Sequence, residues 1–312
     1  MVEAGLFPSD EILSETLARL SGSHVDPARL KAQWREWRWV ARVPPYVVFI
    51  ADSADAWSRL EQEADLLDAA RKTLGSLVPE VLARDTARRI QVRDHKDGIT
   101  GWEIEERIFG VKTEQPPLRL PRYARDCPLT PWGETFAADL GAVLARFHRG
   151  TTTEALASRV KPYSIDWVAI DSVVREHTDD FILHRACREL TAWDSSRPQG
   201  EVVLHGDPHL HNVFASESGH VAALIDLDEA CLGDRHEDLK YLHSQGPRFT
   251  EIAMAAYETE AGVILDRQLA GRMHVRSAFE HFAWVQADAP RFPRIVDWAL
   301  ESLRALTPQW AT

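Results

Sequence analysis

The run EVVLHGDPHLHNVFASESGHVAALIDLDEA, from Glu201 to Ala230, constrains this chain more than any other part of it. Val202 to Leu204 form a short apolar run ending at His205-Gly206-Asp207, and Pro208 keeps a strand from continuing normally, so a polar loop begins there. Val213 to Ala215 and Val221 to Ile225 flank the turn-rich SESGH, which predicts an antiparallel hairpin whose open end is bounded by Asn212 and Asp226. Those two side chains are expected to be neighbours. One amide oxygen and one carboxylate make a sparse oxygen site suited to Mg²⁺, a cation that keeps several waters and draws other ligands from substrate phosphates. Asp207, five residues before Asn212, is expected beside it.

The spacing H-x-D-x-x-x-x-N, followed 14 residues later by an Asp after an apolar strand, resembles the catalytic arrangement of kinase-type phosphotransferases. HGDPHLHN and IDLDEACLGDRHEDL are together similar to the aminoglycoside (antibiotic) phosphotransferase family and its metabolic relatives. EERIFG at 105 to 110 resembles that family's inter-lobe segment, and LARFHRG at 144 to 150 its following helix. The likeness is traceable from about residue 37 to 240. It implies an α+β, two-lobed, protein-kinase-like fold that binds ATP or GTP with Mg²⁺ between its lobes. Asp207 would orient an attacking hydroxyl and accept its proton, with His205 bracing the loop, while Asn212 and Asp226 hold Mg²⁺ on the nucleotide. Glu63, in LEQEADLL, falls where the family's helix turns a carboxylate toward a phosphate-binding lysine, and Glu106 and Ile108 fall in the segment that would meet the nucleotide. Asp234 and Asp238 are expected to anchor loop backbone.

The chain departs from the family at that lysine. Counting back from Glu63 places it at or next to Phe49, and VVFIAD holds no basic residue; the six lysines are at 31, 72, 96, 112, 161 and 240. RLKAQWREW, between the presumed first strands, has no glycine-rich loop. Lys31, Arg35 or Arg42 are the candidates to reach the phosphates instead. The non-basic strand and the D-x-D-E…G-D-x-x-E-D-L run resemble the tuberactinomycin (viomycin/capreomycin) phosphotransferase type.

Elsewhere, WRWVARV and YVVFIA joined at Pro44-Pro45 predict a hairpin, and Asp52 or Ser53 caps a helix carrying Trp57, Leu60, Ala64 and Leu67. Strand-like pieces are expected near Ile90 to Val92 and from Trp102 to Ile108. An amphipathic start (Ile12, Leu13, Leu17, Leu20) precedes all of these. Five prolines between Phe109 and Pro131 oppose regular structure, which puts the boundary between a nucleotide lobe, 1–108, and a catalytic and substrate lobe, 109–312, at their start. Thr130 and Pro131 then open a helix with Phe136, Leu140, Val143, Leu144 and Phe147 on one face, and the second half is mainly helical apart from residues 201 to 228.

A formal charge of −12 repels phosphate backbones and argues against a nucleic-acid partner, and no apolar run reaches the roughly 20 residues that span a membrane. Three cysteines without a CxxC pair fit a reducing compartment, the cytoplasm. Charge and resemblance favour a cationic antibiotic as acceptor; Glu280, Asp288, Asp297 and Glu301 read mostly as solvated helix faces, some of them able to receive it. A metabolic kinase for amino alcohols or sugars and a catalytically silent binding protein are the alternatives. Three other patterns are weighed: His205, His209 and His211 as zinc ligands, Ser158-x-x-Lys161 as a nucleophile motif, and His205, Asp207 and His274 with Arg276 as an iron oxygenase site. Trp34, Trp37 and Trp39 read as strand core rather than as a base-stacking platform.

Overall fold

The computed structural model describes residues 14–15, 18–19, 32–35, 37–110, 128–152, 154–197, 200, 202–287 and 293–307. Most of the amphipathic start, Lys31, Asp288 and most of the proline-rich segment fall outside them.

The amino-terminal part is an antiparallel sheet of β1 (Ala32–Arg35), β2 (Arg38–Val43), β3 (Tyr46–Ala51), β4 (Val81–Asp85) and β5 (Ile90–Asp94), in the order β1-β2-β3-β5-β4. Pro44 and Pro45 make the β2–β3 turn, and the register runs from Val43 opposite Tyr46 to Arg38 opposite Ala51. Trp34 and Trp39 face each other across β1 and β2, their rings 5.3 Å apart edge to face. Between β3 and β4 lies α1 (Ala54–Leu74), started by Ser53, whose hydroxyl accepts from Ala56 N at 3.1 Å.

Residues 102–108 are the correction to the expected strands. After β6 (Ile99–Thr100) they form α2 (Trp102–Phe109). Ile104 and Ile108, four apart, satisfy both the two-residue repeat of a strand and the face of a helix, so the apolar pattern cannot separate the two. Gly101, with φ 57, turns the chain sharply after β6, and its N–H donates to Leu210 O at 2.9 Å.

The rest is helical around a small set of strands. α3 (Pro131–Thr151) has the expected Thr130 cap and first-turn proline. α4 (Glu154–Ala157), α5 (Trp167–His177) and α6 (Phe181–Ser195) lead to β7 (Val202–Leu204), β8 (Val213–Ala215), β9 (Val221–Leu224) and β10 (Cys231–Gly233). Four helices follow: α7 (His236–Leu239), α8 (Pro247–Ala261), α9 (Arg267–Ala287) and α10 (Pro293–Leu306). β8 pairs with β9 and with β6, and β7 with β10. The largest core joins Leu66, Leu67 and Ala70 of α1 to Phe136, Leu140 and Phe147 of α3 and to Phe249 and Tyr257 of α8. A second, with Val174, Leu183, Phe279 and Leu303, sits between α5, α6, α9 and α10. Among the described residues no helix is long and apolar enough to cross a membrane.

Candidate active site

The polar loop begins where Pro208 ends β7's continuation, and one buried carboxylate organises its entry. Asp238 of α7 accepts from His205 N at 2.8 Å and Gly206 N at 3.0 Å, and from His148 Nε2 at 2.8 Å. Complete burial opposes its ionisation, yet His148 and the His205 N–H hold the carboxyl below its ordinary range. Asp238 therefore anchors loop backbone, as expected from sequence. Asp234 does the same lower down, accepting from His236 N at 3.0 Å.

His205 is a brace. Its Nε2 donates to Ile225 O at 2.9 Å and its Nδ1 accepts from Asp207 N at 3.3 Å, which fixes one neutral tautomer. Burial lowers its pKa against the pull of Asp238, Asp207 and Asp226. With both ring nitrogens engaged, His205 is not free to ligate zinc or iron. The oxygenase arrangement fails further at Arg276, which is buried and ion-paired with Asp194 and Glu237, while His274 stacks on His243 at 5.5 Å.

Asn212 Nδ2 donates to Asp207 O at 2.9 Å and to Asp207 Oδ2 at 3.2 Å, which leaves the amide oxygen of Asn212 as its acceptor. Asn212 also pairs with the far end of the hairpin, its carbonyl accepting from Ile225 N at 2.9 Å, so Asp226 follows directly on the opposite strand. Asp226 has φ 66, a conformation that non-glycine residues rarely adopt and that costs on the order of 1–3 kcal/mol. The hard oxygen donors of Asn212 and Asp226 fit Mg²⁺, and a cationic partner already lies on Asp226, since Arg38 Nη2 donates to its Oδ1 at 2.6 Å.

Glu63 reaches this place from α1. It is 1% exposed, takes a bidentate pair from Arg93 at 2.6 and 2.7 Å, and accepts from Leu227 N at 3.2 Å, tying α1 to the Asp226 turn. Burial works against its ionisation, but Arg93, Arg38 and the Leu227 N–H hold it at about 2. Among the described residues, the cations that meet it are thus Arg38 and Arg93. Arg35 instead bonds Gln33 at an exposed position, and Arg42 is exposed on β2. Neither residue of the expected inter-lobe segment joins the cluster. Ile108 is fully buried in the main core with its carbonyl taken by Thr130 N at 2.9 Å, and Glu106 is half-buried on α2.

A cavity of about 910 Å³ opens beside Asp207. Asp228, Lys161, Tyr163, His243 and Trp284 help to line it. Burial lowers His243 to about 4. Of the acids considered for a cationic acceptor that lie among the described residues, Glu280 alone lines this cavity; it accepts from Tyr163 OH at 3.0 Å and lies 3.6 Å from Lys240 Nζ, so its charge is already matched.

Among solved structures, the macrolide 2′-phosphotransferase MphH of Brachybacterium faecium is similar at 20% identity and a TM-score of 0.64, over 95% of this chain and 98% of that one. An aminoglycoside 2′-phosphotransferase, solved as its GDP complex, matches at 13% and 0.64 over 97% and 99%. A choline/ethanolamine kinase family protein of Mesorhizobium loti matches at 16% and 0.61 over 98% and 96%. At these identities the likeness is one of fold, the two-lobed kinase-like α+β architecture. No curated protein matches the chain at comparable significance. Residues 26–274 match the family described as "Phosphotransferase enzyme family", a span that takes in β1, the Glu63 helix, the whole Asp207–Asp226 loop and hairpin, and the Asp238 anchor. The site and most of the sequence thus lie inside one match, and the chain belongs to the phosphotransferase enzyme family, whose enzymes act on hydroxyl acceptors.

Proposed function

We propose that the protein transfers the terminal phosphate of ATP or GTP, with Mg²⁺, to a hydroxyl of an antibiotic-sized small molecule, and that this confers resistance to it. The observation that carries the reading is the Asp207–Asn212 pair, braced by His205 and Asp238 and standing at the wall of a cavity of about 910 Å³. Asp207 takes the role of orienting the acceptor hydroxyl and accepting its proton. Asn212 and Asp226 are the residues that would hold Mg²⁺, which neutralises charge on the phosphates when bound. Phosphoryl transfer asks little more of a protein than positioning and charge compensation. Residues 1–108 form the nucleotide lobe in this reading and 109–312 the acceptor lobe.

The cavity lies near the top of the roughly 300–1,000 Å³ range of ligand pockets, which favours an antibiotic over an amino alcohol. Its lining sets Asp207, Asp228, Glu229 and Glu280 against Arg59, Lys161 and Lys240, an excess of one acid, and adds Tyr163 and Trp284, which suits a bulky acceptor with few amino groups. Within the antibiotic class this supports a macrolide-like acceptor ahead of the polycationic aminoglycosides and tuberactinomycins. The free thiols of Cys187 and Cys231 fit the cytoplasm.

The test is mass spectrometry of macrolides, aminoglycosides, tuberactinomycins and amino alcohols incubated with protein, Mg²⁺ and ATP or GTP. One phosphate should appear on one compound class, and Asp207→Ala should slow its formation by roughly 10²–10⁴-fold while Mg-nucleotide binding stays within about twofold. Equal turnover by Asp207→Ala would remove Asp207 from the chemistry.

A further inference from the structure

In the family reading, the lysine expected at position 49 has two tasks, to pair with the helix carboxylate and to meet the nucleotide phosphates. Here position 49 is phenylalanine, and strand geometry brings two arginines to it. Side chains alternate along a strand, so positions 47, 49 and 51 of β3 share a face with their cross-strand partners. Among those partners are Arg93 of β5, opposite Val47, and Arg38 of β2, opposite Ala51. Both guanidinium groups lie over the Phe49 ring, Arg93 at 4.2 Å and Arg38 at 5.3 Å from its centroid.

The two arginines are engaged differently. Arg93 gives both terminal nitrogens to Glu63 and its Nε to Gln91 Oε1 at 2.5 Å, and it is buried among them. Arg38 bonds Asp226 through Nη2, whereas its buried Nη1 lies 3.3 Å from Asp228 and 3.6 Å from Glu63 and forms a hydrogen bond to neither. Among the described residues Arg38 is the cation ion-paired with both Glu63 and Asp226. Glu63, Asp226 and Asp228 together outweigh burial and raise its pKa further.

Resting on the phosphotransferase reading above, we propose that the two tasks of the missing lysine are divided: Arg93 holds Glu63 in place, and Arg38 is the cation that binds the nucleotide's phosphates. Mg²⁺ bound at Asp226 would take up the carboxylate that holds Arg38 Nη2 and leave that guanidinium free for phosphate. A guanidinium released beside polyphosphate exchanges one anionic oxygen for another with little reorganisation, because its planar fork suits both.

The experiment is calorimetric titration of wild type, Arg38→Gln, Arg38→Lys and the Arg38→Gln/Phe49→Lys double variant. Each is titrated with adenosine and Mg-ADP, and with guanosine and Mg-GDP. Wild type should bind the tighter diphosphate well ahead of its nucleoside. Arg38→Gln should weaken the diphosphate by roughly ten- to a hundredfold with the nucleoside unchanged, Arg38→Lys should fall between, and the double variant should recover diphosphate affinity. A ratio of diphosphate to nucleoside affinity in Arg38→Gln equal to that of wild type overturns the proposal. If Arg38→Gln does not fold, Arg38→Lys decides: a wild-type ratio at unchanged melting temperature supports nothing more than a counter-ion and also overturns it. Wild type that binds neither diphosphate sinks the phosphotransferase reading itself, and this inference with it.

Discussion

Glu105 lies on α2 with 9% of its surface exposed and with Oε2 lacking a hydrogen-bond donor, and burial, opposed only by a hydrogen bond with Gln245, raises its pKa from 4.5 to about 7. A carboxyl raised in this way favours the fold fully below pH 4.5, and that contribution is lost as pH climbs through 7. Glu105→Gln removes the titration. In denaturant unfolding the variant should exceed wild type by up to about 3 kcal/mol at pH 8.5 and lose that advantage by pH 4; a gap independent of pH would refute the assignment. At this scale the sequence is uneven in what it reveals. Asp207, Asn212 and Asp226 are legible as a group because the roles proposed for them need a fixed spacing along one loop and hairpin. Arg38 and Arg93 are not, because the relevant distance runs across β2, β3 and β5. Yet the Pro44-Pro45 turn was readable, and counting outward from it sets Arg38 opposite Ala51, two residues from the empty lysine position.

Between β7 and the hairpin, the loop turns at Gly206, whose φ of 90 is left-handed and whose missing Cβ would lie 2.1 Å from Glu229 O. Glycine is required there on both counts. Gly206→Ala should push the Asp207 segment off the β10 side, lowering stability by about 1–3 kcal/mol and turnover by more than tenfold. Thermal melting and the phosphate assay read the two effects, and unchanged values in both would show the loop to be looser than its contacts imply. The sequence predicts the β2–β3 and β8–β9 hairpins and α3 well, since each has a turn or cap with one reading: Pro44-Pro45, SESGH, and Thr130-Pro131. α2 has no such marker. Its alternate residues Trp102, Ile104 and Ile108 suit a pleat as well as a coil, and what decides is that Ile108 packs under Gly133 of α3, a contact 25 residues ahead.

Across the whole molecule, the main core ignores the expected boundary near residue 108, because α1 of the sheet region packs directly on α3. Leu67, fully buried, packs in that shared core. Leu67→Ala should cost about 2–5 kcal/mol and shift a single calorimetric transition; two peaks, of which only the first moves, would mean that the sheet region melts alone. The helix-rich second part was anticipated from periodicity, whereas the cavity, assembled from residues between Arg59 and Leu306, follows from no local pattern. One feature of the sheet bears on how such a protein is handled. Its five strands carry Arg35, Arg38, Arg42, Arg84 and Arg93 and no lysine. A guanidinium neither discharges in alkali nor behaves as an acylable amine, so nucleotide-shaped acylating tags that mark an enzyme through a strand amine have nothing on these five strands to react with, and any label they leave on this protein belongs to a lysine elsewhere, such as Lys161 or Lys240 of the cavity wall.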